Sequence, residues 1–336
     1  MNSSPSYPTS MDLARLNTPL VALGRLSRKV GIEILCKRDD LTGCAVSGNK
    51  IRKLEFLLAE AADQGHDRVI TCGGEQSNHA RAAAVAAARV GLGCHLLLRT
   101  QDPEAPPPLE GNLLLDRMVG AAIKWITPEQ YAERDRLMAE EARRLESAED
   151  AKVYIIPEGG SNALGAWGYV RCAEELAQQL GQVKATVVYA AGSGGTAAGL
   201  IAGCRLLDLP YRLVGVCVCD DRPTFQRRIS GILDEMADAY TLDVRTPADE
   251  IEIWDDYVGL GYALSRQEEL VQMQYVARLE GLITDPVYSG KALFGLLSEV
   301  DRGTKLPEPV VFLHTGGIFG LFPKADQIAP LVGHEG

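Results

Sequence analysis

The stretch SGNKIRKL, residues 47–54, leads from a small polar cluster directly into an amphipathic helix. Lys50 would lie in the first turn of that helix, where the partial positive charge of the helix N-terminus ordinarily favours anions. A lysine held there tends to lose its proton, and a neutral amine can act as a nucleophile or form an imine with a carbonyl cofactor. The alternative is that Lys50 and Lys53 are both solvated surface charges.

Strand and helix patterns alternate on both sides of this stretch. A short strand pattern at 32–37 precedes it, and apolar residues then recur at helical spacing until Gly65. Further strand patterns, separated by helical ones, fall at 68–72, 94–98, 123–126, 153–156, 185–190, 212–219 and 310–314. Strands connected through helices pair in parallel by right-handed crossovers. The sequence therefore predicts an α/β fold with two open, twisted, mainly parallel sheets flanked by helices.

The order of these patterns predicts a discontinuous domain. The second sheet most economically takes its first strand from before Lys50, which makes the middle block an insertion. We expect a large domain formed by residues 1–54 and 163–336, and a small domain formed by residues 55–162 that closes over a substrate. The turn from Gly159 to Asn162 is interpreted as the hinge.

Charge and composition narrow the classes of function. The 336 residues carry a formal net charge of −11, which argues against a surface that neutralises nucleic acid or anionic membranes. The first residues lack the features of a signal peptide, and no apolar run reaches the length of a membrane span. We expect a cytoplasmic protein with no nucleic-acid or membrane partner, no metal site, and eight reduced, mostly structural cysteines.

Four polar or glycine-rich turns fall at the carboxyl ends of predicted strands, where open α/β sheets bind ligands, at 47–50, 73–79, 191–196 and 314–317. The third turn opens a helix, so its N–H groups are suited to hold a phosphate. Gly192, Gly194 and Ala197 also satisfy a dinucleotide fingerprint, and Asp220 ends the next strand. A nicotinamide-dependent oxidoreductase is therefore an alternative of another class, and a non-catalytic binding protein is a second.

The turn at 73–79 places a hydroxyl, an amide and an imidazole at a helix N-terminus. Ser77 is either a simple helix cap or part of a carboxylate-binding turn. His79 is either a general acid and base or a core histidine that bonds to a neighbouring group.

Five motifs occur in the order found in fold-type II pyridoxal-phosphate enzymes, the class of the tryptophan synthase β chain. They are the segment from Gly48 to Glu55, Gln76-Ser77-Asn78-His79, Gly192-Ser193-Gly194-Gly195-Thr196, Asp285-Pro286-Val287-Tyr288 and His314-Thr315-Gly316-Gly317. The resemblance runs from about residue 18 to residue 321. It is strongest to the branch that contains D-cysteine desulfhydrase and 1-aminocyclopropane-1-carboxylate deaminase, and it implies a homodimer.

The resemblance also implies residue roles. Lys50 would form the Schiff base with pyridoxal 5'-phosphate, Asn78 would hydrogen-bond the phenolic oxygen, and Thr315 would face the pyridine nitrogen. The phosphate would lie in the turn formed by Gly192, Ser193, Gly194, Gly195 and Thr196, held by the amides of the last three. The substrate would bind at Ser77, Asn78, His79, Tyr288 and Ser289, with its carboxylate at the first three. Ser77 would also belong to the catalytic residues, with Lys50, Tyr288 and Tyr262. Tyr288 and Tyr262 would approach the reacting carbon, with buried packing as the alternative for Tyr262.

Two departures from the deaminase pattern bear on the substrate. The deaminases place a glutamate after the tyrosine, where this chain has Ser289, and glutamine where it has His79. A hydroxyl holds a pyridinium less well than a carboxylate does, so the electron sink is weaker. This favours β-elimination of D-cysteine to pyruvate, sulfide and ammonia over ring opening of 1-aminocyclopropane-1-carboxylate.

Other substrates of the same chemistry stay open. L-cysteate, as in a sulfo-lyase, is one alternative, and D-serine or β-chloroalanine is another. A sulfonate would need an additional cation, for which Arg52 and His79 are candidates and Arg222 is an unassigned charge. The resemblance singles out Lys50 as the reactive lysine and leaves Lys53 as an ordinary surface residue.

Overall fold

The computed structural model describes residues 5–333 and contains ten strands and twelve α-helices within that range. The strands are β1 (Leu20–Ala22), β2 (Ile34–Lys37), β3 (Arg68–Gly74), β4 (Gly93–Arg99), β5 (Ala122–Ile126), β6 (Val153–Ile155), β7 (Ala185–Ala191), β8 (Tyr211–Cys217), β9 (Ile253–Trp254) and β10 (Val310–Leu313). The helices are α1 (Gly24–Val30), α2 (Lys50–Asp63), α3 (Asn78–Arg89), α4 (Gly111–Met118), α5 (Pro128–Tyr131), α6 (Arg134–Glu149), α7 (Ala163–Leu180), α8 (Gly195–Leu206), α9 (Arg222–Tyr240), α10 (Gln267–Glu280), α11 (Ser289–Asp301) and α12 (Ala325–Val332).

The strands form two sheets, as the alternating pattern predicts. The larger has the order β1-β2-β10-β7-β8-β9, and the smaller has the order β5-β4-β3-β6. All pairs are parallel except β1 with β2, where a three-residue strand closes one edge in antiparallel fashion. The α/β fold class is confirmed. The larger sheet takes strands from both sides of the segment that forms the smaller one, and the domain boundaries themselves stay a prediction.

Some local expectations were wrong. The charged segment 128–146 has the sequence pattern of one continuous helix. The structure instead has two separate helices, α5 and α6, that meet at Ala132 and Glu133. The elements β1, α1, β9 and α12 were not expected. The two unexpected strands have only two or three residues, which is too short to establish an alternating pattern.

A buried ion cluster fixes α2 against the larger sheet. The Arg52 guanidinium is fully buried and donates to the carboxylates of Asp39 and Glu175, with its closest contact to each at 2.7 Å. Lys37 of β2 donates to Glu175 at 2.7 Å, and the Tyr169 hydroxyl donates to Asp39 at 2.6 Å. Charges removed from water need this degree of pairing, so the cluster positions the helix that begins at Lys50.

Apolar packing surrounds this cluster. The largest core includes side chains of α2, α3, α7 and α8, and a second core lies between the larger sheet and α1, α10 and α11. All eight cysteines have free thiols. Among the helices of residues 5–333, none combines the length and apolar character needed to cross a membrane.

Candidate active site

The carboxyl ends of β3, β4, β7 and β10 open onto two adjoining hollows. The inner recess is lined by Asn49, Lys50, Asn78, residues 190–194, Thr196, Ala197, Tyr288, Thr315 and Gly316. The outer cavity, of about 270 Å³, is lined by Lys50, residues 72–74, Ser77, His79, Arg99, Tyr131, Arg134, Glu158, Gly159, Gly192, Ser193, Cys219, Asp220, Arg228, Tyr262 and Tyr288. Four residues line both hollows: Lys50, Gly192, Ser193 and Tyr288.

Lys50 is brought to the recess by a tight turn before α2. Gly48 has a left-handed φ of 104°, and a Cβ there would lie 2.7 Å from the carbonyl oxygen of Thr315. The Asn49 N–H donates to that oxygen at 3.1 Å, and the Asn49 amide donates to the Thr196 hydroxyl at 3.1 Å. These contacts join the start of α2 to the segment after β10 and to the first turn of α8.

Lys50 is half-buried by its accessible surface, and removal of its amine from water lowers its pKa to about 8. The charge of Glu158 opposes this effect and raises the pKa. About a tenth of the amine is therefore neutral at pH 7, against well below about a thousandth for an ordinary lysine, and the neutral form is the one required of a nucleophile or base.

Lys53 is fully buried, so the expectation that it is a surface lysine was wrong. Its amine donates to the carbonyl oxygen of Gly159 at 3.2 Å and to the Ser161 hydroxyl at 3.1 Å. Burial, followed by the nearby charge of Lys50, places its pKa well below the ordinary value. Residues three apart lie on one helix face, and that face of α2 is turned toward the protein interior.

The turn between β7 and α8 has the form of an anion cup. Gly194 has a φ of 93° and precedes α8, whose first N–H groups have no partners within the helix. The Gly195 N–H donates to the Ser161 hydroxyl at 3.2 Å, which in turn lies 2.9 Å from the Ser193 hydroxyl. Ser161 was missed because its motif was interpreted only as a hinge turn, and it connects this cup to Lys53.

The turn between β3 and α3 contains both a helix cap and a neutral histidine. The Ser77 hydroxyl accepts from the Ala80 N–H at 3.1 Å, as a helix cap does. His79 Nε2 lies 2.8 Å from the Thr71 hydroxyl, whose single proton is donated to the Ile156 carbonyl oxygen at 2.8 Å. Nε2 must therefore donate to Thr71, which leaves Nδ1 buried with no partner among the described residues.

The electrostatic surroundings keep His79 uncharged. Burial, together with the charges of Lys50 and Lys53, places its pKa well below the ordinary value. His79 is thus an acceptor on the cavity wall and not the cation that a sulfonate would need.

Asn78 is held with its amide N–H groups available to the recess. Its side-chain oxygen accepts from the Asn112 amide at 3.0 Å, and the same amide donates to the Gln76 carbonyl oxygen at 3.0 Å. Arg81 donates to the Asn112 oxygen at 3.1 Å, which fixes the orientation of that amide. Asn112 was missed because only the fold brings it beside Asn78.

Tyr288 and Tyr262 form a hydroxyl pair on the cavity wall. Their oxygens lie 2.9 Å apart, and burial raises the pKa of both groups, so both stay protonated. Lys291 donates to the carbonyl oxygens of Val258 at 2.6 Å and Gly261 at 2.7 Å, which holds the loop that carries Tyr262.

Thr315 and Ser289 are placed differently. Thr315 lines the inner recess, whereas Ser289 is fully buried and lines neither hollow. The Ser289 hydroxyl donates to the Asp285 carboxylate at 2.6 Å, and the same carboxylate accepts from the Tyr288 N–H at 3.0 Å. The structure therefore places Ser289 outside both hollows, where it donates to the carboxylate that accepts from the Tyr288 N–H.

Two cations considered from the sequence lie outside both hollows. Arg52 belongs to the buried cluster with Asp39 and Glu175. Arg222 donates to Asp255 at 2.8 Å at the surface. Neither is available to a bound sulfonate.

The inner recess fits a ligand that has both a carbonyl group and a phosphate. Its walls combine a buried amine at Lys50 with the first turn of α8, and the buried amine of Lys53 lies beside that turn, 2.9 Å from where a Gly195 Cβ would be. The Asn78 amide and the Thr315 hydroxyl complete its polar walls. These are the groups needed to hold a phosphorylated aldehyde at both ends.

Comparisons with known proteins agree with this chemistry. The model of the family described as pyridoxal-phosphate dependent enzymes matches residues 11–316. A mitochondrial bifunctional D-cysteine desulfhydrase/1-aminocyclopropane-1-carboxylate deaminase of Arabidopsis thaliana is 42% identical over 98% of this chain and 83% of its own length. The D-cysteine desulfhydrase of Serratia proteamaculans is 40% identical over 95% of this chain and 96% of its own.

Solved structures extend the comparison. A structure described as an ACC deaminase homologue superposes with a TM-score of 0.88 at 36% identity, covering 97% of each chain. The threonine deaminase isoform 2 of Solanum lycopersicum superposes with a TM-score of 0.63 at 16% identity, over 96% of this chain and 84% of its own. The second likeness concerns the fold alone.

Proposed function

The chain belongs to the family of pyridoxal-phosphate-dependent enzymes, and from that premise we propose that it catalyses β-elimination on D-cysteine, with pyruvate, sulfide and ammonia as products. The proposal agrees with the names of relatives that are about 40% identical over 95% of the chain. Because the family uses pyridoxal phosphate, the dinucleotide interpretation of the turn at 191–196 is not retained.

The observation that carries the proposal is the chemistry of the inner recess walls. Among the described residues that line it, none has a carboxylate, and a hydroxyl is present at Thr315. When bound, pyridoxal phosphate supplies an aldehyde that bonds to amino groups and a ring that takes up electrons from the α-carbon. Without a carboxylate partner the ring is a weaker electron sink, which suits a substrate with a good leaving group better than a cyclopropane ring.

Protein groups supply the remaining steps. The phosphate would be held by the N–H groups at the start of α8 together with Lys53, and Asn78 would donate to the ring hydroxyl. The substrate carboxylate would bind at Ser77 and the first N–H groups of α3. The neutral Lys50 amine is suited to remove the α-proton.

The tyrosine pair is suited to protonate the leaving sulfur. Both hydroxyls stay protonated at neutral pH, and Tyr288 lines the recess as well as the cavity. A proton given to the departing sulfide would pass from Tyr288, with Tyr262 as its hydrogen-bond partner.

The test is a substrate comparison on the purified holoenzyme. D-cysteine, L-cysteine and 1-aminocyclopropane-1-carboxylate are supplied at equal concentration, and pyruvate is separated from 2-oxobutyrate. We expect pyruvate with sulfide from D-cysteine and its loss in Lys50→Ala, with Arg222→Gln as a control that leaves turnover unchanged. Predominant 2-oxobutyrate from the cyclopropane substrate would refute the argument from the recess walls.

We further propose that residues 55–162 act as a small domain that closes over the substrate, while residues 1–54 and 163–336 hold the cofactor. The outer cavity is lined by Ser77 and Tyr131 from residues 55–162 and by Tyr262 from residues 163–336. D-alanine has no leaving group and can bind without elimination. Its binding should therefore slow amide hydrogen exchange both in residues 55–162 and in the cavity-lining part of residues 163–336. Slowing confined to one of these two ranges would contradict closure.

A homodimer and a cytoplasmic location are also proposed. Exposed apolar side chains at Tyr275 of α10, at Ile283 in the loop after that helix and at Phe322 offer a surface for a second copy. Eight free thiols are typical of a reducing compartment. Light scattering of the purified protein and fractionation of cells test the two statements separately.

A further inference from the structure

Arg81 of α3 is a fully buried cation that makes no ion pair within residues 5–333. Burial lowers its pKa to about 10, against the opposing charge of Asp116. Neither carboxylate oxygen of Asp116 has a hydrogen-bond partner among those residues, so the two groups do not satisfy each other. A guanidinium kept out of water without a carboxylate partner is costly, and its contacts with neutral groups must offset that cost.

Three neutral oxygens from two separate segments accept the Arg81 N–H groups. Nε donates to the Asn112 side-chain oxygen at 3.1 Å, Nη2 donates to the Ser47 carbonyl oxygen at 3.0 Å, and Nη1 donates to the Ala45 carbonyl oxygen. The central carbon of the guanidinium lies 5.2 Å from the ring centroid of Phe319. Because its donors lie in one rigid plane, this single group fixes the two segments relative to each other.

The two segments carry different parts of the candidate cofactor site. The loop at 45–47 leads directly to Lys50, and the Asn112 amide donates to the Asn78 side-chain oxygen at 3.0 Å. Lys50 and Asn78 line the inner recess, whereas Arg81 lines neither hollow. Arg81 can therefore act on the recess only through these other residues.

We propose that Arg81 is a positioning residue of the cofactor site, which holds the Asn78 amide in register with the loop that presents Lys50. The Asn112 amide, once fixed by Arg81, occupies the Asn78 oxygen and leaves the Asn78 N–H groups available to the phenolic oxygen of pyridoxal phosphate. This inference rests on the cofactor of the family and is independent of which amino acid the enzyme transforms.

A cofactor analogue separates positioning from a role in folding alone. 3-Deoxypyridoxal 5'-phosphate keeps the aldehyde and the phosphate but lacks the phenolic oxygen that Asn78 would contact. Asn112→Ala should therefore weaken binding of pyridoxal phosphate alone. Arg81→Met also releases the loop before Lys50, so it should weaken binding of both ligands, and that of pyridoxal phosphate more.

The experiment titrates apoenzymes with the two ligands and follows their visible absorbance. Asn112→Ala is expected to raise Kd for pyridoxal phosphate by about tenfold and Kd for the 3-deoxy analogue by less than about twofold. Arg81→Met should raise Kd for pyridoxal phosphate by at least about tenfold more than Kd for the analogue, and Arg81→Lys should restore part of the loss. In an Asn78→Ala background, Arg81→Met should no longer discriminate between the ligands.

A core truncation controls for loss of stability. Leu145 of α6 is fully buried and lines neither hollow, so Leu145→Ala should lower the urea midpoint without changing the ratio of the two Kd values. Asn112→Ala keeps every charge in place and still tests the contact to Asn78 if Arg81→Met does not fold. Wild-type affinities in Arg81→Met, or equal losses for both ligands in Arg81→Met or Asn112→Ala, overturn the proposal. These titrations need no turnover, so failure of the D-cysteine function would not alter them.

Discussion

Capture of pyridoxal phosphate by the apoenzyme is expected to report the pKa of Lys50. Only a neutral amine attacks an aldehyde, and burial lowers the pKa of Lys50 to about 8. The neutral fraction then rises from about 9% at pH 7 to about 91% at pH 9, a tenfold increase that levels off above pH 9. A solvated lysine of ordinary pKa would instead give a rise of about a hundredfold over the same interval.

The assay follows the visible absorbance of the cofactor after rapid mixing with apoenzyme from pH 6 to pH 10. Nα-acetyl-lysine, measured in the same buffers, corrects for titration of the cofactor itself. Glu158→Gln removes the carboxylate that raises the pKa of Lys50, so its profile should move to lower pH. A capture rate that increases a hundredfold between pH 7 and pH 9 without levelling would refute the argument that burial lowers the pKa of Lys50 to about 8.

Three further substitutions test the surroundings of the site. Lys53→Met should weaken binding of pyridoxal phosphate to the apoenzyme by about tenfold or more but leave binding of unphosphorylated pyridoxal unchanged, and equal effects on the two ligands would exclude a phosphate contact. Arg52→Met leaves the buried Asp39 carboxylate with no cationic partner and Glu175 with Lys37 alone, and should lower the free energy of unfolding by about 3–5 kcal/mol in urea titrations; a loss below about 1 kcal/mol would contradict the cluster's structural role. Lys291→Met should lower kcat with an unchanged cofactor spectrum, and it should have no additional effect in a Tyr262→Phe background if its role is to position that tyrosine.

The parts of the fold that could be predicted are those with strong local signals. The central parallel strands β3, β4, β7 and β8 have seven residues each and a mostly buried apolar sequence, so their patterns are clear. The edge strands β1 and β9 depend on pairing with neighbours distant in the sequence and leave no periodic pattern of their own. The break between α5 and α6 was missed because its residues, Ala132 and Glu133, are both compatible with a continuous helix.

Site residues could be predicted where they belong to a sequence motif. They could not be predicted where only the folding of the chain brings them to the site. Lys50 and Tyr288 lie in motifs, and the structure brings them to one recess, where their roles stay proposals. Ser161, Asn112 and Arg81 act through contacts with residues more than 30 positions away. No spacing rule connects such residues.

The spacing of Lys50 and Lys53 has an electrostatic consequence for the cofactor site. Burial lowers the pKa of both amines, and the charge of Lys50 lowers that of Lys53 further. A phosphate bound at the start of α8 would favour the protonated form of Lys53, because its amine lies beside the Gly195 amide in that turn. A positive charge on Lys53 in turn disfavours a second proton on Lys50 one helical turn away. Phosphate binding would thus assign the proton to Lys53 and keep Lys50 neutral, which gives two chemically identical side chains on one face of α2 different functions.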